Sequence, residues 1–149
     1  MTEQTPTQQP RKVLLVDDET GFLGVLSRRL QRRGFDVTTA ENGAEALRAL
    51  RGTFMDAAVV DLKMHDMDGF ELLRVCRRMA PEMPVIILTG HGSAAEAEEG
   101  MRLGAAGYLL KPCELDDLVR CLSAVIAGNQ GCSPLAAPPT CTGGTAPTE

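Results

Sequence analysis

The sequence of 149 residues lacks several features that mark common classes of protein. It has no basic excess, since 15 Lys and Arg stand against 20 Asp and Glu, and this balance disfavours direct binding of nucleic acid. The basic stretch 28–33 is better explained as the end of a helix, where the helix dipole favours positive charge. No apolar run approaches the ~20 residues of a membrane span, and no secretory leader is visible. We therefore expect a cytoplasmic protein without membrane insertion.

Cysteine is present but in no pattern that indicates a metal site or a disulfide framework. The five cysteines are odd in number, and none is spaced as C-x-x-C. The two histidines, His65 and His91, are not at metal-binding spacing with any cysteine. A reducing compartment fits these features best.

Composition divides the chain into three parts. Residues 1–10 are polar and predicted to be a disordered arm, and residues 128–149 form a tail rich in Gly, Pro and Thr. Such a tail cannot bury enough apolar surface to offset the entropy of ordering it. The folded domain is therefore predicted at 11–127, and we expect no DNA-binding or catalytic domain after it.

Short apolar runs alternate with segments of helical period across the predicted domain. Strands are predicted at 12–16, 35–40, 56–60, 84–88 and 106–110, and helices at about 20–33, at about 43–51, and after Asp68, Ser93 and Glu114. The first, third and fourth strands are continuously apolar, which is typical of strands covered on both faces. The third helix is predicted to turn Leu72, Leu73, Cys76 and Met79 inward. Five strand–helix repeats indicate an α/β fold with a doubly wound parallel sheet.

Four of these apolar runs end on polar residues. Asp17 and Asp18 follow the first strand, Asp61 the third, Thr89 the fourth and Lys111 the fifth. Ligands of such sheets bind at the carboxyl ends of the strands, where the strand order reverses. Clustered carboxylates repel one another, and their oxygens suit Mg²⁺. With Asp61 as a nucleophile and a lysine and a hydroxyl as donors, the pattern indicates a phosphoryl-accepting site.

Four motifs make the pattern recognisable. The segments LLVDDE, VVDLKMHDMDG, ILTGHGS and GYLLKP, in this order and spacing, resemble the receiver domain of two-component response regulators. The resemblance covers roughly 11–127 and implies a flavodoxin-like (βα)₅ domain, a three-layer sandwich. It also implies a signalling protein that takes a phosphoryl group from a sensor histidine kinase or a histidine phosphotransferase.

The resemblance further implies a role for each matching residue. The catalytic set would be Asp61 as phosphoacceptor with Thr89 and Lys111, the switch would be Thr89 and Tyr108, and Mg²⁺ would be held by Asp17, Asp18, Asp61 and the backbone carbonyl of Lys63. The peptide before Pro112 is often cis in this family. A downstream protein would bind the face formed by the fourth helix, fifth strand and fifth helix.

The chain departs from the family pattern at two positions. His65 replaces a usual proline, so the rigidity of the family's loop is not carried over to this chain, and Cys113 replaces a frequent phenylalanine. Lys63 and His91 lie two residues after Asp61 and Thr89 respectively, beside the path of an attacking water. We hypothesise that these two residues tune the lifetime of the phosphorylated state.

The sequence also allows other interpretations. One is a Mg²⁺-dependent phosphohydrolase with an aspartyl-phosphate intermediate, although haloacid-dehalogenase-like enzymes need Asp-x-Asp after the first strand rather than adjacent Asp17 and Asp18. The chain could also be a receiver fragment of a longer regulator, or a phosphate-independent interaction module.

The fourth helix has few large apolar residues and an interior Gly100, which costs ~1 kcal/mol relative to alanine. We therefore predict that this helix is a marginal element that phosphorylation biases.

Overall fold

The computed structural model describes residues 10–90 and 93–128, so most of the predicted arm and tail, and His91, lie outside the described residues. The strands are β1 (Arg11–Val16), β2 (Phe35–Ala40), β3 (Ala57–Val60), β4 (Val85–Thr89) and β5 (Gly107–Leu110). The helices are α1 (Thr20–Arg32), α2 (Gly43–Gly52), α3 (Gly69–Met79), α4 (Ala94–Arg102) and α5 (Leu115–Ile126). Across the described part of the chain, no helix is both long enough and apolar enough to cross a membrane.

The five strands form one parallel sheet in the order β2-β1-β3-β4-β5. This order confirms the predicted doubly wound fold and puts the reversal of strand order between β1 and β3. The two strands are in register to their ends, with Val16 opposite Val60, and the amide of Asp61 donates to the carbonyl of Val16 at 3.0 Å. The residues that follow β1 and β3 therefore emerge side by side.

The sheet is buried on both faces, as the continuous apolar strands predicted. One face packs against α1 and α5, and its strand residues are Val13, Leu15, Phe35, Ala57, Val59, Ile86 and Leu88. The other packs against α2, α3 and α4, and its strand residues are Leu14, Val16, Ala40, Ala58, Val60, Val85, Ile87 and Tyr108. Full burial of a large aliphatic side chain stabilises the fold by ~1.5–3 kcal/mol, so these two clusters hold the sheet in place.

Helix ends follow the capping pattern of the sequence. The side chain of Asn42 accepts a hydrogen bond from the amide of Glu45 at 2.8 Å at the start of α2. At the start of α4, Ser93 and Glu96 accept hydrogen bonds from each other's amides, which completes a capping box.

One prediction about the core was wrong. Met79 was expected to point inward, but it is the last residue of α3 and is 39% exposed. The final turn of α3 extends past the core, so that Met79 lines a surface groove together with Phe54 and Pro81. The other three inward predictions for this helix, at Leu72, Leu73 and Cys76, are confirmed by complete burial.

Candidate functional site

Three carboxylates meet at the carboxyl ends of the central strands. Asp17 and Asp18 directly follow β1, Asp61 directly follows β3, and one oxygen of each lies within 4.8 Å of the others. Asp17 and Asp61 are buried, with 3% and 5% exposure, whereas Asp18 is half-buried. Negative charges this close repel strongly when solvent is excluded, so the arrangement requires compensating positive charge.

Lys111 supplies part of that compensation from the loop after β5. Its Nζ donates a hydrogen bond to Asp17 Oδ2 at 2.7 Å and lies 3.5 Å from Asp61 Oδ2 and 3.6 Å from Glu19 Oε1. Burial alone would lower the pKa of Lys111, but the bond to Asp17 and the neighbouring carboxylates raise it above its ordinary value. The lysine therefore keeps its proton and its charge inside the cluster.

Burial in this cluster disfavours the charged form of Asp17. Desolvation raises the pKa of Asp17, against the opposing effects of the hydrogen bonds from Lys111 and from the amide of Glu19. Separately, the three clustered carboxylates carry more negative charge than the Lys111 ammonium alone can balance, so the site is suited to a second cation.

The donor set of the cluster fits Mg²⁺. This ion prefers hard oxygen ligands, uses few protein carboxylates and keeps several waters, which requires an open rim. Asp18 also lines a cleft of about 470 Å³ that opens beside Lys63 and Glu96. Asp18 therefore brings carboxylate oxygens to the edge of an open space, next to the buried Asp17 and Asp61. The amide of Lys63 lies 3.4 Å from Asp61 Oδ1, and the predicted role of the Lys63 carbonyl stays a prediction.

The loop after Asp61 is anchored by a residue that the sequence motifs did not indicate. Asp66 accepts hydrogen bonds from the amides of Gly43 at 2.9 Å and Ala44 at 3.2 Å, at the amino terminus of α2. The amide of Gly43 is the main reason why the pKa of Asp66 lies below its ordinary value. His65 Nδ1 lies 2.8 Å from Asp18 Oδ2. These contacts restrain the loop around His65, the position at which the family usually has a proline. The loop sequence gives no signal for the Asp66 contact, because this contact depends on where the start of α2 lies in the folded domain.

The two predicted switch residues lie on neighbouring strands. Thr89 is the last residue of β4 and is completely buried. Tyr108 on β5 is also completely buried, and its hydroxyl is the one buried side-chain polar atom without a hydrogen-bond partner among the described residues. Burial raises the pKa of Tyr108. An unpaired buried hydroxyl costs ~1–3 kcal/mol, and the burial of the ring has to offset this cost.

The remaining predictions concern Lys63 and His91. The side chain of Lys63 is largely exposed at the mouth of the cleft, with Nζ 3.7 Å from a carboxylate oxygen of Glu96 in α4. His91 lies outside the described residues. The Lys111–Pro112 peptide bond is cis, as the resemblance implied.

Comparison with known proteins identifies the family. A profile described as "Response regulator receiver domain" matches residues 13–123. The transcriptional regulatory protein GlrR of Escherichia coli (strain K12) is 41% identical over 116 residues, which are 78% of this chain and 26% of GlrR. The chain therefore spans about a quarter of the length of that relative.

Solved structures agree with this assignment. A CheY-like response regulator receiver domain protein from Methanospirillum hungatei JF-1 superposes with a TM-score of 0.77 and 29% identity, covering 80% of this chain and 96% of that one. A response regulator from Burkholderia pseudomallei, crystallised with a phosphorylated aspartic acid, a calcium ion and citrate, gives a TM-score of 0.73 at 30% identity over 79% and 69% of the two chains. With its flavodoxin-like fold and its acidic strand ends, the chain belongs to the response regulator receiver domain family.

Proposed function

We propose that Asp61 accepts a phosphoryl group from a sensor histidine kinase or a histidine phosphotransferase in a Mg²⁺-dependent reaction. The observation that carries this proposal is the setting of Asp61: a buried carboxylate with Lys111 Nζ 3.5 Å from one oxygen and two further carboxylates beside it. Phosphorylation of an aspartic acid in the related B. pseudomallei protein supports the same chemistry here. The domain then acts as a switch rather than as a turnover enzyme.

The proposed transfer step uses the residues that meet at this site. A carboxylate oxygen of Asp61 attacks phosphorus as the bond from phosphorus to the donor histidine nitrogen breaks, which leaves an aspartyl phosphate and a free imidazole. Lys111 then donates to one phosphoryl oxygen and the Thr89 hydroxyl to another. Asp17, Asp18, Asp61 and the Lys63 carbonyl would hold Mg²⁺, which neutralises charge on the phosphoryl oxygens.

The output surface is proposed to be the face of α4, β5 and α5. β5 is one of the two edge strands of the sheet, and Leu110 at its end is 43% exposed. Movement of Thr89 toward a phosphoryl group would open space for Tyr108, whose ring packs beside α4. A downstream protein that binds this face would then distinguish the two states. We propose signalling through such protein contacts, without direct binding of nucleic acid.

The lifetime of the phosphorylated state is proposed to depend on Lys63 and His91. Lys63 is two residues after Asp61 and lines the cleft beside Asp18, where it would screen an attacking water. Replacing both residues by serine should change the rate of autodephosphorylation. An unchanged rate would contradict this assignment.

The phosphoacceptor is tested by incubation with acetyl phosphate and Mg²⁺, followed by intact-mass measurement. The wild type should gain the mass of one phosphoryl group, and Asp61→Asn should gain none. Asp56→Asn is the matched control, since Asp56 precedes the same strand at its opposite end and its side chain accepts from the amide of Lys12. This variant should take up phosphate like the wild type, and chelation of Mg²⁺ should abolish uptake in both.

Two outcomes would overturn the proposal. Equal phosphate uptake by the wild type and Asp61→Asn would remove Asp61 as the acceptor. Steady hydrolysis of a small phosphate ester, without a retained phosphate, would instead favour the phosphohydrolase interpretation, although β1 is followed by adjacent aspartates rather than Asp-x-Asp.

A further inference from the structure

The ammonium of Lys111 has an aromatic neighbour as well as acidic ones. Its Nζ lies 4.2 Å from the centroid of the Phe22 ring while it donates to Asp17 Oδ2 at 2.7 Å. The lysine side chain is 17% exposed, so little water reaches it. The charged group is therefore held between a carboxylate and the face of a benzene ring, which carries partial negative charge.

The backbone around Asp17 determines where the ring lies. Asp17 Oδ1 accepts a hydrogen bond from the amide of Glu19 at 2.9 Å, which shapes the turn that leads into α1. α1 begins at Thr20, so Phe22 belongs to its first turn. The carboxylate that binds the lysine thus also fixes the start of the helix that carries the ring.

Packing alone does not account for an aromatic residue at this position. Phe22 is half-buried at the edge of the core face formed with α1 and α5, where an aliphatic side chain would also fill space. What an aliphatic side chain lacks is an electron-rich face toward the ammonium. The exposed carboxylate of Glu19, 3.6 Å from the same nitrogen, offers the lysine an alternative partner nearer to solvent.

We propose that Phe22 is a positioning residue for Lys111, whose ring face keeps the ammonium directed at Asp61 and away from solvent. This inference rests on the proposed role of Asp61, because the benefit of the aimed charge is realised when a phosphoryl group reaches that carboxylate. A cation–π contact strengthens when water is excluded, as it is here. Transfer should therefore depend on the electron density of the ring and not only on its size.

The test replaces Phe22, in the full chain, with phenylalanines that carry one and three ring fluorines. Fluorine withdraws negative charge from the ring face while the shape changes little. The rate of phosphate uptake from acetyl phosphate with Mg²⁺ should fall stepwise, by about three- to tenfold for the trifluoro ring. Phe35 is the matched control, because its ring lies 5.0 Å from the Arg11 guanidinium, away from the site. The same fluorination at Phe35 should leave the rate unchanged.

A second readout does not depend on phosphorylation. The chain has three lysines, at positions 12, 63 and 111, so selective ¹³C labelling of lysine gives an easily assigned spectrum. The ring current of Phe22 should shift the ε-methylene resonance of Lys111 away from the other two. Phe22→Leu should abolish that shift, and Phe22→Trp should retain one while preserving the rate of uptake.

The two readouts separate the possible failures. If the wild type takes up no phosphate but the Lys111 resonance responds to Phe22→Leu, the contact stands and the proposed phosphorylation fails. If phosphate is taken up at a rate that does not change with fluorination, the positioning role of Phe22 is overturned while the proposed function stands. A Lys111 resonance that is identical in the wild type and Phe22→Leu would also overturn the positioning role.

Discussion

The helices α4 and α5 flank β5 at the proposed output surface, yet they are held in place very differently. α5 contributes four buried side chains to the core, namely Leu118, Cys121, Leu122 and Val125. The buried residues of α4 are a single methyl group and a glycine, Ala97 and Gly100. Because stability follows buried apolar area, α5 should open only with the whole domain, whereas α4 should open locally.

The helix α4 lies beside the buried hydroxyl of Tyr108. Tyr108 places a hydroxyl without a hydrogen-bond partner on the sheet face that α4 covers. α4 relies at its start on the capping box of Ser93 and Glu96 rather than on apolar contacts. Marginal packing and an unpaired polar group therefore occur together, which is the arrangement expected of an element with two accessible states. The contrast suggests that α5 serves as the frame and α4 as the moving part.

The largest expected effect is the difference in the free energy of unfolding between a substitution in α5 and one in α4. Leu122→Ala removes a completely buried side chain from α5 and should lower the free energy of unfolding by about 2–5 kcal/mol. Ala97→Gly in α4 should cost only about 1–2 kcal/mol, through lower helix propensity and the loss of one buried methyl group. Urea titration of both variants measures the difference, and equal losses would contradict the contrast.

The next effect concerns local opening. Amides of α4 should exchange with solvent faster than those of α5 in the unmodified domain. Beryllofluoride with Mg²⁺, which mimics the aspartyl phosphate, should slow exchange in α4 by about tenfold or more and leave α5 unchanged. Identical exchange of α4 in the two states would rule out its assignment as the switching element.

A substitution at Gly100 should make α4 more like α5. Alanine has a helix propensity ~1 kcal/mol more favourable than glycine, but the new Cβ would lie 2.8 Å from Ile87 Cδ1 and 3.5 Å from Tyr108 Cδ2. The end of the isoleucine side chain can move, so Gly100→Ala should slow amide exchange in α4 while changing the free energy of unfolding by less than about 1 kcal/mol.

Gly24 in α1 provides the control for this substitution. Its nearest atom to a new Cβ would be Arg28 Nη1 at 3.6 Å, so Gly24→Ala should stabilise the domain without affecting α4. Equal effects of both substitutions on α4 exchange would show that Gly100 has no special role.

The smallest effect tests the cap of α4. Ser93→Ala removes the hydroxyl that accepts from the amide of Glu96 at 3.2 Å and should cost about 0.5–1 kcal/mol. The loss should appear as faster exchange confined to α4. Asn42→Ala removes the corresponding cap of α2 and should leave α4 exchange unaltered, as measured by the same method.

Much of the fold could be predicted because its signals are local. Strands buried on both faces are continuous apolar runs, and the caps at Asn42 and Ser93 are recognisable from a polar residue followed by glutamate three positions later. The meeting of Asp17, Asp18 and Asp61 followed from strand order, since carboxyl ends of parallel strands share one edge.

The features that escaped prediction depend on three-dimensional placement. Met79 continues the apolar stripe of α3, but the stripe does not show that the core ends one turn earlier. Phe22 has the sequence signature of a core residue, and its contact with Lys111 arises only when α1 and the end of β5 pack together. Likewise, the identity of Tyr108 suggested a switch, whereas its unpaired hydroxyl depends on the rotamer that packing selects.

The hydrogen bond from Lys111 to Asp17 joins residues 94 positions apart, and Asp61 lies between them in the chain. A polypeptide still emerging from the ribosome therefore cannot assemble this cluster until its last strand has been made and the sheet has closed. If Asp61 is the phosphoacceptor that we propose, unfinished or fragmented chains would lack the complete site and would not take phosphate from the donor.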